Sequence, residues 1–275
     1  LGLSVFLNWV VGPLVMLGVA WATLPDLPDY RTGVIMVGLA RCIAMVMIWN
    51  GLAGGDHDLC AILVVVNSLL QIVLYSPYAL LFINIIGGSD SVRIEYGVVA
   101  KSVAIYLGIP LAAGVLTRYT VWRLFGRKFL TETFLPIFSP LALLGLLYTI
   151  LVIFMYQGRR VTDNVGPVFR VFVPMILYFL IMWSSAFALL FFLSRKRPAT
   201  FSYESAVVHS FTAGSNNFEL AIAVAIATYG VGSNEALAAT IGPLVEVPVL
   251  LGLTWVALWL KKKLRWGVPT NTSSR

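Results

Sequence analysis

Apolar residues fall into eight long stretches, 3–22, 33–49, 59–86, 97–116, 134–156, 169–193, 206–228 and 236–260, separated by short polar segments. Crossing a hydrocarbon layer about 30 Å thick takes about 20 helical residues, so runs of this length predict transmembrane helices. The seventh stretch is interrupted by His209-Ser-Phe-Thr-Ala-Gly-Ser-Asn-Asn-Phe-Glu219. On a continuous helix His209, Thr212, Asn216 and Glu219 line one face, while Gly214 beside Ser215 weakens the backbone. The stretch therefore predicts a broken, polar-lined membrane helix. A charge at mid-membrane costs about 2.5 to 3.5 kcal/mol on insertion scales, which makes Glu219 a candidate functional group. In the plainer reading the carboxylate only caps a turn or bonds a neighbouring helix.

Other stretches carry polar residues in patterns of their own. The first has Ser4 and Asn8 at helical spacing and a kink expected at Gly12-Pro13. The second holds Arg41 and Cys42 side by side near its middle. Arginine stays charged and needs a partner or water at that depth, and a cation beside a thiol makes Cys42 a candidate thiolate rather than a small hydrophobe. Asn67, Gln71, Tyr75 and Tyr78 recur every three or four residues in the third, a polar stripe that must face protein or water. In the eighth, Glu246 lies between Pro243 and Pro248, where carbonyls freed by proline have to be satisfied inside the protein. The fourth carries Lys101, snorkelling from near one end, and Pro110, while the fifth and sixth are mostly apolar and read as scaffold. The loop 51–58, with Asp56, His57 and Asp58, reads as a solvated turn.

Composition settles the solvent: 59% hydrophobic and 11% charged residues, with a mean hydropathy of +0.90, describe an all-α polytopic membrane protein embedded in a lipid bilayer. The net charge of +7 sits in short loops, the pattern of topology determinants, and implies no nucleic-acid partner. With eight crossings both termini share a side. The loops on that side hold Arg118, Arg123, Arg127, Lys128, Arg195, Lys196, Arg197 and the tail Lys261, Lys262, Lys263, Arg265 and Arg275. The opposite side has Arg31, Arg93, Lys101, Arg159, Arg160 and Arg170. The tail 261–275 is therefore expected in the cytoplasm, with the protein in the plasma membrane. The opening run lacks the basic flank and cleavage site of a signal peptide. Cys42 and Cys60 show neither a disulfide framework nor a zinc spacing. No cofactor and no obligate protein partner are implied.

Two halves can be compared. The second and third stretches pair an interrupted helix with a polar-striped one, and the seventh and eighth repeat that order, which is the sequence mark of an inverted-repeat transporter with a midplane site. The transporter domain then covers 1–260, with 1–86 the remainder of the first repeat and 97–260 the second. At these residues the chain resembles a known family. Ala40-Arg-Cys-Ile-Ala-Met-Val-Met-Ile-Trp-Asn50 with Gly55-Asp56, Val66-Asn-Ser-Leu-Leu-Gln71, the run 211–227 and Ile241-Gly-Pro-Leu-Val-Glu-Val-Pro-Val249 are similar to the arsenite efflux permeases of the arsenical-resistance family, in the bile acid/sodium symporter-like superfamily.

That resemblance implies a ten-helix permease with two discontinuous, crossed helices, here the second and seventh stretches, expelling arsenite in exchange for protons. About eight of the ten helices are then present, and two would precede residue 1, an N-terminally truncated chain. It ties transport to Cys42, a transient ligand of the metalloid, and to Glu219. Arg41, Trp49, Asn67, Phe211 and Asn217 match positions that shape the substrate pathway, and Glu246 joins Glu219 as a proton-coupling candidate. Antimonite is a second candidate substrate. Trivalent arsenic is thiophilic, and one thiol suits passage where three would hold it too tightly. Two other readings remain beside this one. A sodium- or proton-coupled organic-anion transporter shares the fold, although sodium prefers oxygen ligands. An intramembrane enzyme built on Cys42 with His57 or His209 has no supporting motif.

Overall fold

Two of the expected crossings are each made of two short helices, and the remaining elements pack around the place where those pairs meet. The computed structural model describes residues 1–86, 95–197, 200–264 and 266, with backbone alone at 139, 142, 143, 146, 149, 150, 153 and 154. Helix α1 is Gly2–Thr23, with a π-turn at Leu7–Val11. The second crossing is α2 (Pro28–Leu39) followed by α3 (Met45–Leu52), and the third is α4 (His57–Ile85). Helix α5 (96–129) runs through a π-turn at Leu130–Phe134 into α6 (Leu135–Asp163). Then come α7 (Val165–Lys196), α8 (Tyr203–Gly214), α9 (Phe218–Tyr229) and α10 (Asn234–Lys263). Among the described residues, five helical runs, beginning at Gly2, His57, Tyr96, Val165 and Asn234, are long and apolar enough to cross a membrane. The protein is an all-α, multi-pass membrane protein.

Polar side chains start these helices where the sequence provides them. Asp56 accepts from the backbone of Asp58 and Leu59 at α4 (2.9 and 3.0 Å). Ser202, Asn217 and Ser233 do the same for α8, α9 and α10. Each cap satisfies a donor that the first helical turn leaves free.

Contacts between loops sort them into two ends, as eight crossings require. At one end Tyr203 donates to the Ala53 carbonyl (2.8 Å), the Asp56 amide reaches the Glu204 carbonyl (3.4 Å) and Lys261 pairs with Glu204 (3.4 Å). At the other, Arg170 grips Asp26, Asn234 donates to Asp29 (3.2 Å) and Arg160 donates to the Ser233 carbonyl (3.0 Å). Arg93, Arg265 and Arg275, which enter the charge comparison, lie outside the described residues.

Helix α4 shows how solvent and packing divide a single helix. Val65, Leu69 and Val73 are exposed on one face, and Asn67, Gln71 and Tyr75 are buried on the other. This inside-out pattern is what a helix between lipid and a polar interior requires. The segment with Arg118, Arg123, Arg127 and Lys128, expected as a loop, is instead helical, and its chain direction breaks at one residue. Gly126 has φ 82°, a backbone open to glycine at no steric cost. The charged positions were read as loop because they interrupt the apolar run, but they ride on a helix without a single buried residue from Ile109 to Phe129.

Candidate functional site

The second crossing loses helical geometry at Ala40 (φ −87°, ψ 123°), and the seventh at Ser215 (φ −118°, ψ 153°). Both unwound segments are thus extended, and they meet: Arg41 and Asn216 form an antiparallel bridge, and the Asn217 amide donates to the Ala40 carbonyl (3.1 Å). Unwound backbone at this depth persists only if its polar groups are satisfied inside the protein.

Side chains of α4 and of the two unwound segments do this for α2. Tyr75 donates to the Met36 carbonyl (3.1 Å), and Asn216 Nδ2 donates to those of Val37 and Ala40 (3.0 Å each). The Arg41 guanidinium turns back onto the Gly38 carbonyl, and the Arg41 amide donates to Gln71 Oε1. Arg41 Nη1 also donates to Tyr178 Oη (2.8 Å), which in turn donates to the Ala213 carbonyl at the end of α8 (3.2 Å). Arg41 is wholly buried and, among the described residues, makes no ion pair. Its counter-charge is dipolar. The carboxyl ends of α2 and α8 both point at it, and a cation at such an end gains up to about 2 kcal/mol in partly buried geometry. Gly12 of α1 leaves room for this arrangement, since a Cβ there would lie 2.6 Å from Arg41 Nη1 and 3.2 Å from Tyr178 Oη.

Cys42 is buried on the other strand face, where its Sγ accepts from the Val46 amide in the first turn of α3 (3.3 Å). The guanidinium was expected to activate this thiol. Neighbouring residues of an extended segment project oppositely, and Arg41 and Cys42 have no hydrogen-bond partner in common. The carboxyl groups of Glu246 and Glu219 lie near enough to the sulfur to interact with it. Glu246 is wholly buried on α10 beside Trp49 and Ser215, yet neither carboxylate oxygen closes a hydrogen bond of ordinary geometry. The same holds for the Trp49 indole N–H, which is buried and unpaired. Glu219 stands in the first turn of α9 and is exposed, unlike the residues on either side of it.

Cys42, Trp49, Glu219 and Glu246 are therefore brought together. Asn217 caps α9 through the Leu220 amide (3.1 Å) and belongs to the crossing. Phe211 is fully buried edge-on against Trp183 (5.9 Å), and Asn67 accepts from Trp9 Nε1 (3.1 Å). These two shape walls rather than face the thiol cluster. The single face expected for His209, Thr212, Asn216 and Glu219 does not form, because the break at Ser215 divides it. His209 and Thr212 bond their own helix's carbonyls, and Asn216 turns to α2. Tyr178 and Gly12 were missed as site residues. A lone tyrosine in the apolar run of α7 has no polar neighbour at helical spacing to single it out, and Gly12 read only as a kink.

A multi-pass bundle whose two broken helices cross through their unwound segments, with ionisable groups at the crossing, defines a membrane transporter with a midplane site. The pattern of the Sodium Bile acid symporter family matches residues 1–164, and the chain belongs to that family, as an Acr3-type permease. It is 42% identical over its whole length to the arsenical-resistance protein Acr3 of Corynebacterium glutamicum, covering 74% of that protein. It is 32% identical to an uncharacterised transporter of Synechocystis (96% of this chain, 70% of the relative). With Acr3 of Alkaliphilus metalliredigens it shares 30% identity (91% and 70%). The chain is a transporter and not an enzyme. His57 is exposed in the first turn of α4, and His209 is held by the Ser205 carbonyl (2.8 Å), so neither histidine is placed as a base for Cys42.

Proposed function

We propose that this protein expels arsenite across the plasma membrane in exchange for protons, with its C-terminal tail in the cytoplasm and its two broken-helix halves acting as inverted repeats, 1–86 and 97–260. The observation that carries this reading is a single buried thiol, Cys42, at a helix crossing with two carboxylates in range. The identity to two arsenical-resistance proteins supports the substrate class. Arsenite at neutral pH is uncharged As(OH)3. Cys42 takes it by ligand exchange: an As–S bond forms, an As–O bond breaks, and the thiol proton leaves with the hydroxide as water. The reverse step on the far side releases arsenite without redox change. One soft ligand makes both steps accessible, and antimonite fits the same chemistry. Arg41, Asn67, Phe211 and Asn217 hold the pathway's shape, and Trp49 borders it.

Glu219, the exposed carboxylate, is the proton carrier, and Glu246 beside the thiol is the second exchangeable site. With no carboxylate hydrogen bond of ordinary geometry to lose, Glu246→Gln is expected to keep the fold, which the amount of folded protein in the membrane checks. It does not neutralise Arg41, whose contacts lie elsewhere. The test is arsenite accumulation in everted membrane vesicles with and without an imposed proton gradient. The parent protein and Cys60→Ser should respond to the gradient, while Cys42→Ser loses accumulation by at least tenfold at equal protein level. Glu219→Gln should abolish the response to the gradient, and Glu219→Asp should retain part of it. Equal loss from both cysteine variants defeats the single-thiol reading. Full gradient response in Glu219→Gln with none in Glu246→Gln moves the proton to α10.

A further inference from the structure

Around the break at Gly126 the chain folds back far enough for residues on both sides of it to line one cavity of about 450 Å3. Val115, Arg118, Tyr119 and Trp122 come from one face of α5, and Arg127, Leu130 and Thr131 from beyond or beside the break. No carboxylate lines it, and among the described residues neither guanidinium has an ion-pair or hydrogen-bond partner. The cavity is mainly apolar, with two guanidinium groups in its lining, and Tyr119 and Trp122 pack edge-on within it (6.1 Å).

Depth identifies what such a cavity meets. From the start of α5 at Tyr96, Val115 to Trp122 lie about 30 to 40 Å along the axis at about 1.5 Å per residue, one hydrocarbon thickness away. The pocket therefore opens at the membrane–water interface, where tyrosine and tryptophan settle at headgroup level. Ile109, Val115, Leu116, Leu124 and Phe125 on the same arm are exposed, so its apolar surface contacts acyl chains. Two unpaired arginines beneath that surface present forked donors to a phosphate.

We propose that this cavity is a binding site for an anionic phospholipid, with the phosphate between Arg118 and Arg127, the hydroxyl of Thr131 within the headgroup region, and the first acyl carbons on Val115 and Leu130. A zwitterionic headgroup brings its own cation to the two guanidinium groups and is disfavoured. A free inorganic anion satisfies the arginines but leaves the larger, apolar part of the cavity empty.

The experiment titrates purified protein in detergent with phosphatidylglycerol, phosphatidylcholine or inorganic phosphate, reading retained lipid by native mass spectrometry and tryptophan quenching by brominated forms of each lipid. Phosphatidylglycerol should bind about tenfold more tightly than phosphatidylcholine, the scale of two cations acting on a charged headgroup. In Arg118→Gln/Arg127→Gln the two lipids should bind equally, with the melting temperature in phosphatidylcholine unchanged. Trp122→Phe should remove the excess of quenching by brominated phosphatidylglycerol over brominated phosphatidylcholine, since the other exposed tryptophans meet both lipids alike, while retaining the lipid preference, so the site stays testable if the double variant folds poorly. Equal affinity for the two lipids in the parent protein, an undiminished preference in the double variant, or quenching unaffected by Trp122→Phe overturns the proposal. Inorganic phosphate at millimolar level displacing phosphatidylglycerol completely does so too, because it makes the site one for a free anion.

Discussion

Where α2 ends, Tyr75, Asn216 and Arg41 cover its last carbonyls; where α8 ends, Tyr178 reaches Ala213 and Ser215 reaches Phe211 (2.9 Å). The helices that restart differ in the same way. A thiol meets the first turn of α3, and an asparagine carbonyl meets that of α9. Two breaks that both begin in extended backbone are thus given different chemistry, since the first holds the cation and the sulfur and the second holds amides and a hydroxyl. The second break serves the first. Asn216 spends both amide hydrogens on the α2 side, and Tyr178 joins Arg41 to the end of α8. The cation at one break is shared by both.

If that sharing is right, Arg41→Gln is the most damaging change in the crossing. It orphans the Gly38 carbonyl and Tyr178 and removes the charge facing two helix ends. At about 1 to 3 kcal/mol per unsatisfied buried group, the loss should reach about 3 to 5 kcal/mol, measured by denaturant unfolding in micelles. A loss below about 1 kcal/mol would mean that the two ends do not depend on the cation.

The second expectation sets neighbouring asparagines against each other. Asn216→Ala leaves the Val37 and Ala40 carbonyls without their side-chain donor and should cost about 2 to 3 kcal/mol. Asn217→Ala removes an N-terminal cap and should cost about 1 kcal/mol. Both are read from the same unfolding curves, and the reverse order would show that capping α9, not joining the two breaks, is the main task of this segment.

Much of this site is legible in the sequence because membrane helices leave few places for polar residues. Arg41-Cys42 and Gly214-Ser215 stand inside apolar runs and mark both breaks, and the Asn67, Gln71, Tyr75 stripe faces inward as its spacing requires. Direction is what spacing cannot supply once a helix stops. Periodicity of 3.6 residues put Asn216 and Glu219 on one face with His209, but three extended residues reset the register, and the period-2 alternation of extended chain sends Arg41 and Cys42 to opposite sides. Tyr178 and Gly12 were illegible for another reason: their roles exist only through contacts with Arg41, remote in the chain. The turn at Gly126 was hidden because the charged residues beside it resemble a loop in composition while keeping helical hydrogen bonds.

The smallest effect lies at the loops that hold the two broken crossings in place. Asp26, just before α2, is gripped by Arg170 through two contacts of 2.5 and 2.6 Å, whereas Glu204 at the start of α8 has one longer contact to Lys261 (3.4 Å). The hydrogen-bonded Arg170 guanidinium holds the Asp26 carboxyl at about 2, below its usual 3.8. A carboxylate depressed in the folded state contributes stability that is fully present above its unfolded value and is lost as pH falls through the folded one. The clamp should therefore be constant from pH 8 to about 5 and fade between about pH 4 and pH 2. Both side chains are largely exposed, so salt screens the pair and its contribution is small. Thermal unfolding of the parent protein and Asp26→Asn should differ by a constant, salt-sensitive margin above pH 5 and converge toward pH 2. Glu204→Gln should give a smaller margin. A margin for Asp26→Asn that grows as pH falls would require the carboxyl to bind its proton more tightly in the folded protein, and the two loops could no longer be ranked by the geometry of their ion pairs.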